Sequence, residues 1–271
     1  MSLEQYESSV ELGRPVYLYA FSLGERVWRY ASSAADVLTA DGHVWTACAI
    51  SHDGVKQTGE AASDSLSIEA PITVAPAQLY LTNPPTSQVA VRILQKDASD
   101  PEVYAIYAGE VSQVNAPEPG KVTITCETLS VSLGREGLRF GWQRGCPYAL
   151  YDPLTCKVDK AAHAVNTTIS AMSGNTVTLA ATIEVGVYAG GFIQWTHPVK
   201  GIEYVGIESQ VGNLLTVFGS SSELHVGMSV TAYRGCNRTP ASCQSLGNYD
   251  NYGGVPNMPG KSPFDGTNPF Y

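Results

Sequence analysis

Tyr233–Cys243, YRGCNRTPASC, repeats a device already used upstream in Gln143–Cys156, QRGCPYALYDPLTC. Each stretch reads Arg-Gly-Cys, then a proline-containing loop, then a second cysteine, and the two lie about eighty residues apart. The chain between them has the pattern of β-structure. TTISAMSG (167–174) passes through a Gly-Asn turn into TVTLAATI (176–183), a hairpin signal between two alternating segments. GGFIQW (190–195), GIEYVGIESQ (201–210), LLTVFG (214–219) and MSVTAY (228–233) supply further strands. One cysteine pair therefore enters a β insertion at about 160–232 and the other leaves it. The ends of a compact module usually lie close together, so all four thiols are expected to meet at its base.

Upstream, strand signals follow one another closely. PVYLYAF (15–21), RVWRYA (26–31), HVWTACAI (43–50), DSLSIEAPI (64–72), QVAVRILQ (88–95), VYAIYAGEVSQV (103–114) and KVTITCETL (121–129) alternate apolar and polar residues between turn residues. Ala75–Leu81 reads as one or two helical turns ended by Asn83-Pro84-Pro85, and Leu3–Glu11 as a short polar helix. About seven or eight strands suffice for a closed barrel or sandwich over residues 1 to about 135. The expected fold class is all-β.

Composition agrees with a globular β protein: 271 residues, 44% hydrophobic, 15% charged, with 26 Gly and 15 Tyr. The net charge of −9 comes without a basic stripe, which argues against sequence-independent binding to phosphate backbones. MSLEQYESSVELGRP has no secretory pattern, and no window reaches the length of a membrane span. The expected compartment is a reducing cytoplasm, where structural disulfides are rare. The six cysteines then need another reading.

Cys48 and Cys126 fall inside alternating strands and read as small buried hydrophobes. Cys146, Cys156, Cys236 and Cys243 sit in loop-like sequence and read as metal ligands, for structural zinc or for an iron–sulfur cluster. Zinc knuckles pair cysteines two to four residues apart. The intervening nine and six residues here suit a larger object, and Cys146-Pro147 is a dipeptide common beside iron–sulfur ligands. Arg144 and Arg234 could offset thiolate charge, and Gly145 and Gly235 are expected to take positive φ or permit close backbone approach. His43, His52, His163, His197 and His225 are scattered singly. No nucleophile elbow, zincin helix, P-loop or dinucleotide fingerprint occurs, so no enzyme is indicated.

Cys-x9-Cys, a long β insertion, R-G-C-x6-C and a tail closing in GGVPNMPGKSPF (253–264) together resemble the tail-tip hub proteins of long-tailed phages, a family that includes hub proteins of gene transfer agents. The resemblance is strong over 139–271 and rests on β pattern and size over 1–138. It implies a tail-tube-like hub domain at 1–138 and a cysteine-rich domain at 139–271. The latter would hold a [4Fe–4S] cluster on Cys146, Cys156, Cys236 and Cys243. It further implies a structural virion protein at the tail tip, assembled in the host cytoplasm. It would be a trimeric ring between a distal tail protein and a central host-recognition protein, passed by DNA without specific binding and not inserted in a membrane. Two rivals remain: an iron–sulfur electron carrier or enzyme, and a zinc-stapled carbohydrate-binding or adhesion module with Trp45, Trp142 and Trp195 as platforms. The tail at about 248–271 is expected to run extended over the cysteine domain or a neighbouring subunit, anchored by Phe264, Phe270 and Tyr271.

Overall fold

The computed structural model describes residues 15–55, 65–97, 102–128, 140–219 and 222–258. It divides into two compact units, Met1–Glu136 with the turn His197–Gly201, and Gly137–Thr196 with Ile202–Tyr271. The proposed N-terminal helix at Leu3–Glu11 and the anchors Phe264, Phe270 and Tyr271 lie outside the described residues.

The first unit comprises β1 (Val16–Leu23), β2 (Arg26–Ala31), β3 (Val37–Leu38), β4 (Val44–Ala47), β5 (Ser51–His52), β6 (Leu66–Pro71), α1 (Ala75–Thr82), β7 (Ala90–Lys96), β8 (Val103–Glu118) and β9 (Lys121–Thr128). Its strands form one nine-stranded sheet in the order β3-β4-β2-β1-β7-β8-β9-β6-β5. Strand alternation sets the core. Tyr19, Phe21 and Leu23 of β1 join Ile68, Ile93 and Ile124 in one buried cluster, while Leu18 faces the other way onto Ala31 and Trp45. Each fully buried Ile or Phe contributes about 1.5–3 kcal/mol relative to exposure. α1 starts with proline in its first turn, as the fixed φ of proline favours, and stops before Asn83-Pro84. Its Ala77 and Leu79, with Val74 just before it, close over the same core.

The sheet curls, and among the described residues its edge strands β3 and β5 are not paired with each other. His52 of β5, at one edge, has its ring 4.7 Å from that of Tyr17 and accepts or donates a 2.7 Å hydrogen bond with Tyr19 Oη on the distant β1. The terminal strands β3 and β5 have two residues each, too short to complete a seam.

The first part, expected as a closed barrel or sandwich, is this nine-stranded sheet, and a closed barrel lies in the second unit. It is built from β10 (Ala164–Ser173), β11 (Thr176–Leu179), β12 (Phe192–His197), β13 (Gly201–Val211), β14 (Leu214–Val217) and β15 (Ser229–Tyr233), in the cyclic order β10-β11-β14-β13-β12-β15. Ile169, Val177, Ile193, Ile207, Leu215, Val217 and Ala232 fill it. First and last strands are hydrogen-bonded neighbours, with Ala164 opposite Tyr233. The chain therefore enters and leaves the barrel side by side, and the two cysteine loops are brought together by this pairing.

Candidate metal centre

The first loop leaves Cys146 and winds back on itself before β10. Asp152 organises it: its Oδ2 accepts from the Thr155 N–H at 2.8 Å and from the Thr155 hydroxyl, while its carbonyl accepts from Lys157 N. The Thr155 hydroxyl and then its N–H hold the Asp152 carboxyl below its ordinary range. Tyr151 and Lys157 take positive φ at the two bends. The second loop leaves β15 and runs into a short helix, α2 (Pro240–Ser245), capped by Thr239, whose hydroxyl accepts from Ser242 N. Cys243 thus sits on a helix and not in a loop as its sequence suggested. The thiol follows Thr239-Pro240, a capping pattern legible in hindsight.

The two loops are joined at Arg238, another positive-φ residue, whose carbonyl accepts from Cys146 N at 2.9 Å. All four loop cysteines line one cavity of about 60 Å3, closed further by Tyr148, Leu150, Val158, Leu246 and Asn248. Cys146 and Cys243 are buried, Cys156 and Cys236 half-buried, and all six cysteines of the chain are free thiols. Cys126 is fully buried in the first core and Cys48 packs against it, as expected of small hydrophobes.

Donors surround the sulfurs. Arg238 N lies 3.4 Å and Ser242 Oγ 3.6 Å from Cys236 Sγ, and Asn248 Nδ2 lies 3.9 Å from Cys156 Sγ. Asn248 is the central polar group. Its amide donates to the Cys156 carbonyl, its own carbonyl accepts from Cys243 Sγ at 3.1 Å, and its Oδ1 accepts from Asn251. Burial, and then the neighbouring Cys236, Cys146 and Cys156, push the Cys243 thiol up from its ordinary value. A bound cationic centre would draw the proton off the Cys243 thiol.

The cavity has room for more than one atom between the thiols. Four thiolates around one zinc at ~2.3 Å would lie about 3.8 Å from each other and leave no void. The observed cavity is several times the ~10–15 Å3 that one water needs by the same measure. Among the described residues, no group of three or more His, Cys, Asp or Glu side chains is placed to hold a metal ion.

The flanking residues divide. Gly235 is a close-approach position: a Cβ there would stand 1.9 Å from Ala189 O and 2.5 Å from Gly191 N. Gly145 is neither crowded nor at positive φ; the atom nearest to its Cβ would be Arg238 O at 3.6 Å. Arg144 and Arg234 both turn away from the cavity. Arg144 Nε donates to Met258 O, and Arg234 Nη1 pairs with Glu184 at 3.5 Å. The arginine that lines the cavity is Arg238, which the reading of the sequence passed over, along with Ser242 and Asn248.

The start of the tail lies across the first loop. Val255 N donates to Gln143 O, and Tyr252 Oη donates to Arg144 O at 2.7 Å. A Cβ at Gly253 would strike the Tyr148 ring at 2.4 Å, and one at Gly254 would meet Arg144 O at 2.6 Å. Of the tryptophans considered as platforms, Trp45 and Trp195 are buried and Trp142 is exposed.

Residues 186–262 match a family model described as "Phage conserved hypothetical protein BR0599". The match includes Cys236, Cys243 and Gly253-Gly254 but stops short of the first cysteine pair. A search of curated proteins finds no match. Among solved structures, a chain of the virion of a native gene transfer agent (GTA) particle superposes with a TM-score of 0.78 at 20% identity, covering 96% of this chain and 93% of that one. The likeness establishes a shared fold over nearly the whole length. Among the described residues, no helix is long and apolar enough to cross a membrane.

Proposed function

We propose that this chain is a structural virion protein of a phage-type tail, acting as a hub ring at the tail tip. In this reading Cys146, Cys156, Cys236 and Cys243 hold a [4Fe–4S] cluster. The observation that carries it is the convergence of two Arg-Gly-Cys loops on one thiol-lined cavity, within a fold shared over most of its length with a chain of a gene transfer agent virion. The cluster acts as a staple. It ties the entry and exit of the inserted barrel to each other, with Asn248 and the backbone of Arg238 as the polar groups that hold the ligands in place. When bound, it supplies the positive charge that lets four crowded thiols ionise together. The chain works as an assembly part without catalysis. It forms a homo-oligomeric ring, a trimer by family analogy, between a distal tail protein and a central host-recognition protein, and an acidic surface lets DNA pass without sticking.

Iron and acid-labile sulfide in protein prepared without air test the site. Equimolar iron and sulfide with a brown colour are expected. Colourless protein with zinc, or with no metal, overturns the cluster. Labelled-antibody electron microscopy of particles tests the location, with label expected at the tail tip. Label along the tube or on the capsid overturns the hub reading.

A further inference from the structure

The outer face of three barrel strands carries a second site, separate from the thiol cavity. A groove of about 700 Å3 is lined by Asn166, Thr168, Gln194, Ser229 and Thr231 from β10, β12 and β15, with Ala180 and Ala181 at its side. Register sets these side chains in rows. Asn166 lies opposite Thr231 and Thr231 opposite Gln194, while Thr168 lies opposite Ser229 in the next row. Neighbouring strands are ~4.8 Å apart and alternate residues on a strand ~7 Å apart. Hydroxyls and amides are therefore spread on a grid about as wide as a sugar ring.

Internal bonds fix which atoms face outward. Thr231 Oγ1 donates to Asn166 Oδ1 at 2.8 Å. Lys160 Nζ donates to Gln194 Oε1 at 2.8 Å and is itself held over the rings of Phe192, Tyr204 and Tyr233 at 4.5–5.3 Å. Both amide oxygens are thus engaged within the protein. The Asn166 and Gln194 amide N–H groups are left as donors on either side of Thr231, roughly 10 Å apart across two strand spacings. The buried Trp195 borders the same groove, and its Nε1 has no partner.

No residue lining the groove ionises. A phosphate or carboxylate ligand would call for a free cation, and the nearby Lys160 is already engaged. An apolar ligand would leave the Asn166 and Gln194 N–H donors without partners. What remains is a neutral chain rich in hydroxyls, which matches paired donors and acceptors that Ser, Thr, Asn and Gln supply together. We propose that this face of the barrel binds a neutral oligosaccharide.

The full chain is titrated by calorimetry and by saturation-transfer NMR with chito-, malto- and galacto-oligosaccharides, and with an oligouronate as the charged comparison. Saturable binding of at least one neutral oligomer is expected. It should be about tenfold weaker in Asn166→Ala and in Thr231→Val, the cost of one or two hydrogen bonds. It should be abolished in Ser229→Trp, which fills the groove. Thermal unfolding checks each fold; should Ser229→Trp fail to fold, the two smaller variants decide. No saturable binding of any neutral oligomer, affinity unchanged in the folded variants, or binding of the oligouronate alone overturns the proposal.

Discussion

The two Arg-Gly-Cys loops share a sequence device but not an environment. In each, the arginine carbonyl accepts a tyrosine hydroxyl at 2.7 Å, from Tyr252 to Arg144 and from Tyr151 to Arg234. The first of these bonds is exposed and the second half-buried. Burial pushes the Tyr151 hydroxyl far above its ordinary range, with Arg234 pulling the other way. The first loop is held from outside, by the tail. The second is wedged against the barrel, where Gly235 touches the backbone of Ala189 and Gly191. Similar motifs can thus be anchored by unlike means, and only one of the two glycines is sterically required.

The sharpest break in this comparison is Gly235→Val. A side chain 1.9 Å from a carbonyl oxygen cannot be absorbed without moving backbone. We expect a loss of about 3 kcal/mol or more, read by chemical denaturation, and loss of metal from anaerobic preparations. Next comes Asn248→Ala, which strands the half-buried Cys156 carbonyl and removes the acceptor of the Asn251 amide. The expected cost is about 2–3 kcal/mol, with faster hydrogen exchange in both cysteine loops. The tyrosines form a matched pair: Tyr151→Phe should cost about 1–1.5 kcal/mol and Tyr252→Phe about 0.5 kcal/mol in the same denaturation assay. Equal effects would mean that exposure does not separate the loops. The smallest change is Gly145→Ala, expected to alter stability by less than about 0.5 kcal/mol and to leave metal content intact. A large loss there would restore the symmetry that the sequence suggested.

A further test lies outside the loops, in the first unit. His52 is held below its ordinary pKa by burial, with Asp53 acting in the opposite sense. The unfolded chain therefore binds the proton more readily than the folded one. The stability contribution of neutral His52 is present above its unfolded pKa and lost as pH falls through the folded value. A pH series of thermal melts should show this loss on the acid side, and His52→Gln should flatten it.

Strand alternation made most of the fold legible. Tyr19, Phe21, Ile68 and Ile124 could be assigned to a core because a period of two has one interpretation when one face is buried. The closure of a sheet was not legible, since it depends on the length of edge strands such as Val37–Leu38 and Ser51–His52, too short to leave a pattern. At the thiol site the four cysteines and their spacing stood out. Arg238 and Asn248 did not, because their roles come from a positive φ and from side-chain amide bonds between residues 92 apart in the chain. A single Asn in a polar stretch carries no periodic signal.

The pairing of Ala164 with Tyr233 has an architectural consequence. A chain that departs and returns at adjacent positions leaves a socket whose width does not depend on what is plugged into it. The intervening barrel could be shortened, lengthened or exchanged for another module with neighbouring termini, while Cys156 and Cys236 kept their separation. One condition travels with the graft. Gly190 and Gly191 belong to the present insert, and Gly190 lines the cavity while Gly191 lies flat against Gly235. A replacement must bring its own bare stretch of backbone to that spot, so the interchangeable part of the protein begins beyond those two glycines.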